Sequence, residues 1–217
     1  MDFEFINEFY PLYIKAGILT LKLAFLGILF SLIIGFFILW VKIFKIKFLA
    51  KICDIYVEIS RNTPLLIQLF FLYFGLPKIG ISLESFECAV IGLAFLGGSY
   101  MSESFRSGFE AIKKAQIQSA LSLGFSQNQL IFYILLPQIL RISLASISAN
   151  IIFLLKETSI VSIVALADLV YVTKDIMGLY YMTNEALFML VVSYLIIILP
   201  ISLFLTFLEK RLNYANA

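Results

Sequence analysis

The stretch Leu23–Val41, LAFLGILFSLIIGFFILWV, runs for 19 residues without a charge, and Ala186–Leu208, ALFMLVVSYLIIILPISLFLTFL, runs for 23. A helix rises about 1.5 Å per residue and needs about 20 apolar residues to cross a hydrocarbon core ~30 Å thick. Both stretches therefore read as membrane-spanning helices. Between them lie three shorter uncharged runs, Asn62–Pro77, Cys88–Ser102 and Ile142–Leu155, of 16, 15 and 14 residues. Each covers only about 21–24 Å. Either they do not span, or the charges that flank them sit at membrane depth.

The composition agrees with a membrane chain. Apolar residues make up 62% of the 217 and charged residues 14%, where a soluble domain carries about a quarter. Mean hydropathy is +1.01. The chain contains no His, which removes His-based metal sites and catalytic triads. It also has no GxxxxGK[ST] run with which to cradle ATP. Two cysteines, Cys53 and Cys88, make no disulfide framework and read as buried thiols. Basic residues are not clustered for nucleic acid. The first apolar run is too long for a signal peptide and lacks a cleavage site, so it is expected to stay in the mature protein.

Five alternating helices starting outside would put Lys42–Lys51, Arg106–Arg141 and the tail after Leu208 in the cytoplasm. Ten of the 16 Lys and Arg residues then fall inside and three outside, Lys15, Lys78 and Lys174. That asymmetry follows the positive-inside rule. The expected fold is an all-α integral membrane protein of about five transmembrane helices, N-terminus outside and C-terminus cytoplasmic. It leaves Glu58, Arg61, Glu103, Lys156 and Glu157 near or within the membrane. Such charges either mark helix ends among headgroups or face a bundle interior, a wet cavity or a partner charge.

The cytoplasmic loop has its own pattern. Phe109–Leu123 reads as one amphipathic helix, ended by Gly124, the residue type that enters the left-handed region freely. Ser126, followed by Gln129, is a capping box that opens a second helix through Ile134. Pro137 is expected to stop or kink it. The result is a helical hairpin. Its second helix has no Lys or Arg for a DNA backbone; lying on lipid or docking on a partner protein are the readings that remain.

Gln118-Ser119-Ala120, three residues, Gly124, nine residues and Ile134-Leu135-Leu136-Pro137 reproduce the spacing of the cytoplasmic EAA-x3-G-x9-I-x-L-P signature of ABC importer permeases. Gln and Ser replace the first two letters. Arg61-Asn62-Thr63-Pro64-Leu65-Leu66-Ile67-Gln68, Tyr100-Met101-Ser102-Glu103-Ser104-Phe105-Arg106 and Lys156-Glu157-Thr158-Ser159 are similar to motifs of the polar amino-acid branch of that family. The resemblance runs from about Leu19 to Arg211.

The resemblance implies a type I ABC importer permease: one transmembrane domain over 1–217, with a coupling-helix loop at about 107–140, in the bacterial cytoplasmic (inner) membrane. It implies no cofactor on this chain and ATP used by a separate ATP-binding cassette ATPase dimer. The implied partners are a second permease subunit, identical or homologous, an extracytoplasmic solute-binding protein and a polar amino-acid substrate. Gln118, Ser119, Ala120, Gly124 and Pro137 are the expected ATPase-coupling residues, with Gln118 and Ala120 on the docking face. Thr63, Glu103, Lys156, Glu157 and Ser159 are the expected substrate-binding set, since a zwitterion needs opposite charges and hydroxyls when it loses hydration. A Lys156–Glu157 pair that only locks two helices is the competing reading. A stand-alone secondary transporter or channel would use the membrane charges equally well but leave the hairpin without a task.

Overall fold

A computed structural model describes residues 2–214; Met1 and residues 215–217, the outermost of the expected 1–217 domain, lie outside the described residues. Asp2 caps α1 (Phe3–Ile43), its carboxylate accepting from the Glu4 and Phe5 amides. At about 1.5 Å per residue this helix is about 60 Å long, twice the hydrocarbon thickness. Its N-terminal half is therefore free to pack elsewhere. The Tyr13 hydroxyl donates to the Ala186 carbonyl at 3.0 Å and lies 3.0 Å from the Thr173 hydroxyl.

Next come α2 (Lys47–Arg61) and α3 (Leu65–Phe70). The break between them falls at Asn62-Thr63-Pro64, where Pro64 is extended (φ −59°, ψ 143°). The Gln68 amide mends it by donating to the Ser60 and Thr63 carbonyls at 3.2 and 2.9 Å. A wide π turn at Phe71–Gly75 and a 3-10 turn at Leu76–Ile79 continue α3.

Helix α4 (Ser85–Glu110) is the hub, packed against α1, α2 and α7. Gly27, Ser31 and Gly35 recur every four residues on α1, and that face meets α4. A Cβ at Gly35 would lie 2.6 Å from the Met101 Cβ and 2.8 Å from the Ser102 nitrogen. A Cβ at Gly97 would meet Ser31 of α1 and lie 2.6 Å from Leu154 of α7. Small residues let helices approach closely in lipid, where no hydrophobic force holds them together.

On its other side α4 meets α7 along three turns. Gly108 lies against Ser143 and Ile139. Ser104 Oγ is 2.8 Å from Ser146 Oγ and accepts from Asn150 Nδ2 at 2.8 Å. The Tyr100 and Phe153 rings are 5.2 Å apart.

After α4 the expected helix over Phe109–Leu123 is interrupted at Ala111–Lys113, and α5 (Lys114–Ser122) starts afresh. Ile112 is buried there, so the corner is pinned by an apolar side chain. The second hairpin helix does not stop at Pro137 either. It begins as α6 (Gln127–Gln129), widens into a π turn at Leu130–Leu135, and runs on as α7 (Leu136–Glu157). Proline lacks an N–H and crowds the preceding turn; the wide turn just upstream accommodates both.

A 3-10 segment, Thr158–Val164, follows, then a left-handed Ala165 (φ 55°), α8 (Leu169–Tyr180) and α9 (Thr183–Tyr214). Among the described residues, Phe3–Ile43, Gln127–Val164 and Thr183–Leu212 are each long and apolar enough to cross a membrane. The apparently short run Ile142–Leu155 is thus the middle of a 38-residue helix. Of the apolar stretch in the last helix only 6% is buried. Cys53 and Cys88 are both free and buried, as expected.

Gly35→Ala is expected to force α1 off the α4 backbone at a cost of about 1–3 kcal/mol, roughly 5 °C in melting midpoint. Gly178→Ala, where a Cβ meets nothing within 4 Å, should leave the midpoint unchanged or slightly raised. Thermal unfolding of the purified protein measures both.

Candidate functional site

Two regions carry chemistry. The first is the hairpin. The α5 end closes as a Schellman turn: Gly124 takes φ +86°, its N–H donates to the Leu121 carbonyl, and the Phe125 N–H reaches back to the Ala120 carbonyl. Ser126 and Gln129 form the expected capping box, with bonds of 2.9 and 3.3 Å. Gln118 and Ser119 are exposed, and so are Leu121, Leu123 (78%) and Phe125. Ala120, expected on the exposed side with Gln118, is instead 4% exposed and packs into the core with Leu130 and Ile131. The helical period turns it inward while Gln118 and Ser119 point out. Pro137 is exposed on the continuing helix.

The second region is charged. Glu103, on α4, is held by Arg106 through contacts of 2.6 and 3.1 Å and by Arg61 at 3.3 Å. Arg106 also grips Glu110 at 2.7 Å, one turn further on. The Arg61 guanidinium stands 5.6 Å from the centre of the Tyr100 ring. The Tyr100 ring lies 5.2 Å from that of Phe153, so an aromatic contact carries on from the charged cluster to α7, one turn before Glu157. A carboxylate already engaged by two guanidiniums has little capacity left for a third cation.

The other expected site residues lie around this cluster rather than in one constellation. Thr63 donates to the Ile59 carbonyl and borders a cavity of about 440 Å³ with Ile67, Gln68, Phe71 and Phe95. Lys156 faces an apolar groove of about 520 Å³ toward Tyr194, Leu195 and Leu199 of α9. Glu157 is half-buried. No ion pair joins Lys156 to Glu157 among the described residues, because consecutive helical residues diverge by about 100°. Ser159 is the second residue of the 3-10 segment, and its carbonyl accepts from the Ser162 hydroxyl.

Arg106, Gln68 and Tyr100 stood in the motifs quoted from the sequence without being given a part in the site, and Asn150 was not singled out at all. The spacing Glu103, Arg106, Glu110 was the available signal for the first. For Gln68 the signal was its position four residues after Pro64, within reach of carbonyls that a helix break releases. No group of His, Cys, Asp and Glu with metal-binding geometry occurs among the described residues.

This arrangement, a hub of glycine-packed helices, a capped helical hairpin and a cluster of paired charges on the hub, has clear relatives. The family described as "Binding-protein-dependent transport system inner membrane component" matches residues 27–214. The chain belongs to that family, and is thus an inner-membrane transport component of the ABC importer permease class. The probable amino-acid ABC transporter permease PatM of Vibrio harveyi is 34% identical over 171 residues, 77% of each chain. The probable glutamine ABC transporter permease GlnM of Bacillus subtilis (strain 168) is 28% identical, covering 98% of this chain and 99% of its own. Among solved structures, a chain of "an amino acid ABC transporter with histidines" superposes with a TM-score of 0.90 at 32% identity, covering 97% of this chain and 99% of that one. A chain of the MetNI methionine ABC transporter shares the fold at a TM-score of 0.75 and 19% identity.

Glu103→Gln should lower the melting midpoint more than Glu110→Gln. The first leaves Arg61 and Arg106 without their shared carboxylate; the second leaves Arg106 still doubly bonded to Glu103. Unfolding of the two variants side by side decides it, and an equal effect would argue against Glu103 as the centre of the cluster.

Proposed function

We infer that this chain lines the translocation pathway of an ATP-driven importer for a polar amino acid. In this reading it pairs with a second permease, receives substrate from an extracytoplasmic binding protein and is driven by two copies of a separate ATPase. The N-terminus lies outside and the hairpin in the cytoplasm, an orientation supported by the distribution of Lys and Arg. The observation that carries the reading is the hairpin. It is a doubly capped element with Gln118, Ser119, Leu121, Leu123 and Phe125 uncovered, joined to α4 by the corner at Ala111–Lys113 and running without a break into α7. A short helix of this kind docks in a groove on another protein through a few apolar anchors.

Movement follows from that continuity. Because Ser104, Ser146 and Asn150 bind α4 to α7, a push on the hairpin displaces both helices together, as a rigid body rather than by splaying them. The pathway wall moves with them: Arg61 and Glu103 beside Tyr100, then Glu157 one turn beyond Phe153. Arg61 supplies a cation for a carboxylate, and Glu157 an acceptor for an ammonium group. Thr63 and Ser159 add hydroxyls, and Lys156 borders the face left open along α9, where the second subunit would complete the cavity. A charge beside an otherwise apolar groove favours a protein or aqueous neighbour over lipid at that face.

Proteoliposomes that contain the permease, the ATPase and the binding protein should accumulate a labelled polar amino acid only when ATP is enclosed with the ATPase. Gly124→Val, which puts a β-branched residue at φ +86° at a cost of about 1–2 kcal/mol, should uncouple ATP hydrolysis from substrate while the protein still inserts. Uptake driven by an ion gradient without ATP would instead identify a secondary transporter.

A further inference from the structure

The turn between α1 and α2 collects charge of one sign. From Leu23 to Cys53 the sequence holds four lysines, Lys42, Lys45, Lys47 and Lys51, and no Asp or Glu. Lys42 is committed to Asp54 at 2.9 Å; the other three are exposed. Helix α1 ends in a Schellman turn, in which the Lys45 N–H donates to the Lys42 carbonyl and the Ile46 N–H to the Val41 carbonyl. Lys45 therefore takes φ 53°, a conformation in which glycine is the usual residue. A lysine fits that backbone less well than glycine and contributes a charged side chain instead.

Helix α2 then presents three faces. Cys53, Val57 and Ser60 turn inward. Lys47, Lys51, Asp54, Glu58 and Arg61 share a polar edge. Phe48, Ile52, Ile55 and Ile59 are all exposed, Phe48 by 80%, and their spacing lays them in one outer stripe. From Phe48 to Ile59 the stripe covers about 16 Å, the depth of one leaflet of a hydrocarbon core ~30 Å thick. The charge-free run of α1 ends at Val41, so the lysines stand at the headgroup end of the stripe. At its other end Ile59 is a wall of the cavity of about 440 Å³, shared with Ile67, Phe71 and Phe95. The polar side chains on that wall are engaged with backbone: the Thr63 hydroxyl donates to the Ile59 carbonyl, and the Gln68 amide to the Ser60 and Thr63 carbonyls. Lysines above an apolar stripe one leaflet deep complement the charge and shape of an anionic phospholipid.

We propose that this face of α2 binds an anionic phospholipid, with its phosphate among Lys45, Lys47 and Lys51 and one acyl chain along Phe48, Ile52, Ile55 and Ile59, ending in the cavity. The site requires only that the chain sits in the inner membrane. It does not depend on which solute is transported or in which direction.

Trp40 is the only tryptophan in the sequence, so a Trp40→Phe, Ile55→Trp variant of the full chain carries a single indole on the stripe, about 10 Å below Phe48. Bromine in the middle of an acyl chain quenches the fluorescence of an indole it touches. In reconstituted protein, brominated phosphatidylglycerol diluted into phosphatidylcholine should half-quench at a mole fraction roughly fivefold lower than brominated phosphatidylcholine diluted into phosphatidylglycerol. High salt should shrink that preference. Lys45→Gly suits the backbone better but removes a charge, so it should keep or raise the melting midpoint while lowering the preference. Lys47→Gln with Lys51→Gln should lower it further, and Arg at the same two positions should retain it. Equal quenching by the two lipids, or a preference that the lysine changes leave intact, overturns the proposal. So does an indole that neither lipid quenches, which would place a second protein copy on this face.

Discussion

The structure depends on how closely α4 approaches its neighbours. Gly35 lies against the backbone of Met101 and Ser102, Gly97 against Ser31 and Leu154, and Gly108 against Ser143. In lipid these contacts replace the hydrophobic force that packs a soluble core. They leave α1, α4 and α7 as one block, inside which the Ser31, Ser99, Ser102 and Ser104 hydroxyls each find a partner. Ser31, for example, donates to the Gly27 carbonyl at 2.6 Å and the Leu93 carbonyl at 3.3 Å. Everything functional hangs from this block. The hairpin joins two of its helices below, and the charged cluster bridges from α2 onto its hub.

Irregular backbone appears where this block meets its less tightly packed neighbours. The Asn62–Pro64 break, the π turns at Phe71–Gly75 and Leu130–Leu135, and the left-handed Ala165 all interrupt regular helices. Such backbone is tolerated at membrane depth only where side chains or cavities satisfy its polar groups. Gln68 does this at the α2–α3 break. Wide turns of this kind in helices are frequent at functional sites, and here one of them lets Pro137 sit inside a continuous rod linking the hairpin to the membrane.

Much of this was legible in the sequence. The charge-free runs gave the long outer helices, and Ser126 with Gln129 announced a capping box that the structure contains bond for bond. Gly124 needed a left-handed residue and has one. What escaped has physical reasons. Local propensity reads Pro137 as a stop, because nothing local reveals a π turn upstream. Ala120 reads as part of a surface motif, but which side of a nine-residue helix faces the bundle is a tertiary fact. The small residues at 27, 31, 35, 97 and 108 were visible, yet their pairing is set by which helices touch. Glu103 read as a free acid for a substrate because its partner Arg61, 42 positions away, is brought beside it only by the fold.

The central claim is that α4 and α7 move as one body with the hairpin. Ser104→Cys and Ser146→Cys, placed in a Cys53→Ala, Cys88→Ala background, would replace hydroxyls 2.8 Å apart with thiols able to form a disulfide. ATP-driven uptake should be the same with this bond oxidised as with it reduced. Loss of uptake on oxidation, restored by a reductant, would mean that the two helices must separate during transport, and would contradict the account.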